Sequence, residues 1–153
     1  MEDLHLFLAH AITLEGDSAR RYEELSAAME TQGNPEVVRF FERMAHYSRL
    51  HLQDAIERGG FHRPPQLRPE EYRWPDGCSP EAAGREGVDG FLDVARALAL
   101  ALDGERRSHA FYANIAAMTT NPRVRTLASE FASEEADHVA QLEAELARLP
   151  VDK

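Results

Sequence analysis

The chain has 153 residues, 43% apolar and 29% charged, so it can bury one sizeable core and is neither a disordered tail nor a membrane bundle. Its 17 Lys and Arg against 27 Asp and Glu give a formal charge of −10, which argues against nucleic acid as a partner, because a phosphate backbone is bound through a basic footprint. One cysteine, Cys78, excludes internal disulfides and any cysteine-only metal site within the chain.

Hydrophobic periodicity predicts an all-α domain over residues 1–153, with four helices at 3–31, 35–58, 89–119 and 122–149. The first begins after Met1-Glu2-Asp3, which carries no basic region of the kind that opens a secretory signal. Two later starts are written in local chemistry. Asn34-Pro35 and Asn121-Pro122 each put a good N-cap before a proline at the first helical position, and Gly33 suits the end of the first helix. The longest apolar run, Val94 to Leu102, is broken by Arg96 and is too short to span a bilayer, so no membrane partner is expected. An acidic chain without disulfides suits the cytoplasm.

Segment 59–88 differs from the rest. It holds five of the eight prolines and five of the nine glycines, together with Phe61, Tyr72 and Trp74. Aromatic residues so close together predict an ordered crossover rather than a loose linker, with a short helix near Pro69–Trp74. Thirty residues suffice to run the length of a bundle, since 24 helical residues span about 36 Å.

The two halves repeat one another. Glu15 and Tyr22 are seven apart in helix one, as are Glu105 and Tyr112 in helix three. Pro35, Ala45, Ser48 and His51 in helix two have the same offsets as Pro122, Ala132, Glu135 and His138 in helix four. Two such helix pairs joined by one long crossover make a ferritin-like four-helix bundle.

Each core-facing stripe is interrupted at its middle. Helix one carries Glu15 between Ala11 and Ala19; helix two carries Ser48 and His51 between Met44 and Ala55. Helix three carries Glu105 between Leu102 and Tyr112, and helix four carries Glu135 and His138 between Phe131 and Leu142. Antiparallel packing would bring three carboxylates and two imidazoles to one level. A buried carboxylate must be protonated, paired or bound to metal. By helical phase, Arg20, Arg21, Arg49, Arg106 and Arg107 point away from the stripes, so the balancing charge is expected from outside the chain. Two divalent ions would supply it. His109, four residues after Glu105, is a spare ligand candidate; His46 and Glu42 are off the stripe, and His5, His10 and His62 are read as ordinary.

These residues resemble the rubrerythrin-like branch of the ferritin-like di-iron carboxylate proteins, over nearly the whole chain. The family signature is one Glu from each of two helices and a Glu-x-x-His pair from each of the other two. Glu15 and Glu105 match the lone glutamates, and Ala132-x-x-Glu135-x-x-His138 is a complete pair. Helix two departs, with Ser48 where the bridging glutamate stands, leaving His51. Ser108 stands where rubrerythrins proper have a second glutamate in helix three. A C-terminal rubredoxin module is not expected, since one cysteine cannot build its four-thiolate iron site. The resemblance implies metal ligands Glu15, His51, Glu105, Glu135 and His138 holding two iron ions, with manganese or zinc as substitutes and partial occupancy expected from Ser48. It also implies a homodimer and a peroxidase- or ferroxidase-type oxidoreductase that reduces peroxide or oxygen with electrons from a separate donor protein. The alternatives are a redox-silent metal-binding or degenerate structural bundle and, more distantly, a metal-free partner-binding bundle.

Overall fold

A computed structural model describes residues 1–81 and 92–150. Helices α1 (Leu4–Thr31), α2 (Pro35–Gly59), α3 (Val94–Met118) and α4 (Pro122–Ala147) form the expected bundle, with a 3₁₀ turn at Pro69–Glu71 between α2 and α3. α1 packs chiefly on α2 and α3 on α4, giving two helical hairpins joined by the long connection. Among the described residues no helix is long and apolar enough to cross a membrane.

The caps explain the boundaries. The Asn34 side chain accepts from the Val37 N–H, and that of Asn121 accepts from the Arg123 and Val124 N–H groups, so each satisfies donors the helix cannot. Asp3 does the same for Leu6. Helix α3 begins at Val94, because Asp93 is its N-cap and accepts from the Arg96 N–H at 2.8 Å; residues 89–91 of the expected helix lie outside the described residues. Gly33 and Gly60 take left-handed φ values of 69° and 65° just beyond α1 and α2, which a side chain would strain.

The first part of the crossover is ordered, as its aromatic content predicts; residues 82–88 of the expected segment lie outside the described residues. Tyr72 and Trp74 stack 5.4 Å apart, and Trp74 packs on Phe111 of α3. The Tyr72 hydroxyl meets the Thr13 hydroxyl at 2.7 Å, and the Arg73 N–H donates to His10 Nε2 at 2.8 Å. His10 Nδ1 in turn donates to the Leu6 carbonyl, so this buried imidazole is a satisfied neutral fastener, as an ordinary histidine should be. Burial holds its pKa below the usual imidazole range. The crossover therefore lies on α1 and α3, and α1 has two buried faces instead of one.

Candidate metal centre

The hydrophobic core is cut in two. One cluster gathers Leu25, Met29, Phe41, Met44, Leu98 and Leu142; the other gathers Phe7, Leu8, Leu14, Phe111, Val124 and Phe131. Between them lie Glu15, Ser48, Glu105, Ser108, Glu135 and His138, all buried. The stripe interruptions meet at one level because the helices run antiparallel and are of nearly equal length.

Among the described residues, Glu105, Glu135 and His138 converge so that one ligand atom from each lies within 4.8 Å of the others. His138 Nδ1 is 3.4 Å from Glu105 Oε2 and 3.5 Å from Glu135 Oε2. The other two expected residues stand beside this group, more loosely held. His51 Nδ1 lies 3.9 Å from Glu15 Oε2, and the His51 ring stacks on His138 with centroids 5.2 Å apart. The His51 side chain is 20% exposed, and its Nε2 lies 3.6 Å from Glu134 Oε2. Glu134 is thus a half-buried neighbour of the site. His109 is not part of the converging group.

The two tyrosines cross the pseudo-repeat. Tyr22 of the first half donates to Glu105 of the second at 2.6 Å, and Tyr112 of the second donates to Glu15 of the first at 3.3 Å. Each hydroxyl fixes one oxygen of a lone glutamate and leaves the other for the interior.

Electrostatics follow from burial. Desolvation pushes the Glu15 carboxyl up to about 8, with a hydrogen bond from Glu135 pulling the other way. Glu135 is raised well above the carboxylate range by burial and by the charges of Glu105 and Glu15. Burial also works against the Glu105 carboxylate, but hydrogen bonds from Glu135, His138 and Tyr22 outweigh it and hold that group below its ordinary value. For His138, burial is outweighed by Glu105, and the pKa rises. Burial, followed by the charge of His138, lowers His51 to about 4, leaving a neutral imidazole. Without an ion, protons hold this cluster together.

Ser48 adds no charge. Its hydroxyl is 2.8 Å from that of Ser18, and both are buried. The helix-two place thus holds a self-satisfied hydroxyl pair.

Arg21 points away from the stripes, as helical phase predicts, yet it is fully buried, with Nη2 donating to the Leu100 carbonyl at 2.7 Å and Nη1 3.6 Å from Glu81 Oε2. It sits 100° around α1 from Tyr22, on the second buried face that the crossover creates. Its charge partner is Glu81, not one of the three stripe glutamates. Glu81 itself was invisible in the sequence, since a crossover has no periodicity to mark a buried acid. It lies 1% exposed and accepts from the Ser108 hydroxyl at 2.6 Å.

The sequence model of the rubrerythrin family matches residues 7–58, the hairpin that carries Glu15, Ser48 and His51. A crystal structure of an uncharacterized conserved protein from Magnetospirillum magnetotacticum MS-1 is similar along the whole chain: 35% identity, TM-score 0.80, covering 99% of this chain and 98% of that one. The chain belongs to the rubrerythrin family. None of the curated proteins compared with it matches.

The donor set of this rubrerythrin-family chain fits a metal. Glu15 Oε2, His51 Nδ1 and Glu135 Oε2 are buried atoms without a hydrogen-bond partner, an uncommon state for native polar groups. Carboxylate oxygens with imidazole nitrogens are the ligands that iron, manganese and zinc accept.

Proposed function

We propose that the protein is a non-haem di-metal oxidoreductase of the rubrerythrin type, with Glu15, His51, Glu105, Glu135 and His138 as ligands of two iron ions. The observation that carries this reading is the set of buried, unpartnered carboxylate and imidazole atoms at the middle of the bundle. Glu135, between the other two glutamates, is the group suited to serve both ions. Bound iron would supply the electrons that peroxide or oxygen takes up, cycling between the ferrous and ferric states.

The chain's own residues prepare that chemistry. Tyr22 and Tyr112 aim the lone glutamates, the two apolar clusters keep bulk water out, and Glu15 and Glu135 hold protons that an arriving ion displaces. His51, the partly exposed member, marks the side open to a small oxidant. Replacement electrons come from outside these 153 residues, because their one cysteine cannot build a four-thiolate iron site. The test is anaerobic loading with Fe(II) followed by peroxide: oxidation faster than that of free iron supports the reading, and an equal rate removes it.

A second reading, a redox-silent metal-binding bundle, is favoured by the Ser18–Ser48 pair, which puts no anion where helix two faces the site. Metal that binds but does not respond to peroxide would select it.

A further inference from the structure

The geometry points to Glu81 as a fourth carboxylate ligand of the centre, carried in by the crossover rather than by a bundle helix and bordered by Arg21 on its unbonded oxygen. The inference rests on the metal-centre reading above.

Three observations carry it. First, Glu81 is 1% exposed, one oxygen takes the Ser108 hydrogen bond at 2.6 Å, and the other, Oε2, has no hydrogen-bond partner. Ser108 lies one helical turn beyond Glu105, so this hydroxyl aims the carboxylate at the level of the site, and Glu105 is the neighbouring charge that Glu81 feels most.

Second, the pairing with Arg21 is not that of a structural ion pair. Buried arginine–carboxylate pairs that hold a fold together are short and usually bidentate. Here the short bond of the guanidinium goes to the Leu100 carbonyl at 2.7 Å and a longer one to the Glu81 backbone carbonyl at 3.4 Å. The side-chain carboxylate is approached only to 3.6 Å. Arg21 is anchored by main chain and merely borders Glu81 Oε2, which keeps that oxygen available.

Third, α3 makes room for both groups at the turn that carries the site. Gly104 directly precedes Glu105, and a Cβ there would lie 2.3 Å from Arg21 Nη1 and 3.0 Å from Glu81 Oε2. The missing side chain lets a carboxylate and a guanidinium reach the α3 backbone beside Glu105. Arg21 faces Glu81 and main-chain carbonyls rather than a stripe glutamate, so those three still lack a cation of the chain's own among the described residues.

The test is a Co(II) titration of chelator-stripped protein, followed by visible absorption, on wild type and three variants: E81Q, R21M and R21M/E81Q. Wild type is expected to take up two ions. R21M should bind at least as tightly, because no guanidinium competes for Glu81. E81Q and the double variant should lose tenfold or more in affinity, or one ion. The double variant removes both charges together, so it decides the matter if E81Q alone fails to fold around an unpaired Arg21. Undiminished binding by the double variant overturns the assignment of Glu81 while sparing the metal centre. Binding by R21M weakened as much as by E81Q overturns it too, since the pair would then only position the crossover. No Co(II) uptake by wild type overturns both this assignment and the metal-centre reading.

Discussion

Replacing Glu15 with glutamine should remove a pH dependence that the ion-free protein cannot avoid. An exposed carboxyl in the unfolded chain titrates near 4.5, whereas burial moves Glu15 to about 8 in the fold. The folded state thus binds this proton more tightly than the unfolded state. Its stabilising contribution is complete below pH 4.5 and is lost as pH rises through about 8. At 1.36 kcal/mol for each pH unit, that difference is on the order of 3–5 kcal/mol between pH 4 and pH 9. E15Q keeps the shape and the neutral hydrogen-bonding capacity, so it should lack this loss and overtake wild type on the alkaline side. Urea unfolding of both proteins in chelator, at half-unit steps from pH 5 to 8.5, reads the difference directly. Glu135 contributes in the same direction in both proteins, and E15Q also removes the part of its shift that the Glu15 charge causes, which adds to the difference. Adding metal should reverse the trend in wild type, because an ion displaces the same protons and binds better as pH rises. A wild-type minus E15Q difference that stays flat across this range would refute the idea of a buried, uncompensated carboxyl at position 15.

Further outcomes follow from single contacts. Gly104→Ala should cost about 1–3 kcal/mol in chemical denaturation, because its Cβ would overlap a fully buried guanidinium; an unchanged midpoint would mean that Arg21 lies elsewhere. Tyr22→Phe removes a 2.6 Å bond to Glu105 and should cost about 1.5–3 kcal/mol, with Tyr112→Phe, at 3.3 Å, costing less. The reverse order in calorimetry would contradict the crossed arrangement. Ser48→Ala should destabilise by about 1–3 kcal/mol by stranding the Ser18 hydroxyl, while the Ser18→Ala/Ser48→Ala double variant should recover most of that loss. Additive losses in this cycle would mean that the two hydroxyls do not satisfy each other.

What the sequence discloses here depends on periodicity and caps. Asn34-Pro35 and Asn121-Pro122 locate two helix starts to the residue, because side-chain capping is a local event. The polar interruptions bring Glu105, Glu135 and His138 together as their spacing implies, because antiparallel helices of similar length leave little freedom in level. The start of α3 at Val94 is set by the Asp93 cap, a signal that apolar periodicity does not register. The burial of Arg21 has a tertiary cause. Helical phase assigns one buried face to α1, and only the docking of the crossover on His10, Thr13 and Arg21 creates a second. The series Phe7, Leu14 and Arg21, one residue ahead of Leu8, Glu15 and Tyr22, was the available hint. Glu81 had no such signal: its burial comes from the path of an irregular segment.

The central claim is that mid-bundle acids and imidazoles hold inorganic ions. Metal content measures this most directly: wild type, E135Q and H138A are loaded with Fe(II) without oxygen, desalted and assayed by elemental analysis. Two iron atoms per wild-type chain, with the variants retaining one or none, is the predicted result. Wild type that keeps no iron, or variants that keep as much as wild type, would contradict it.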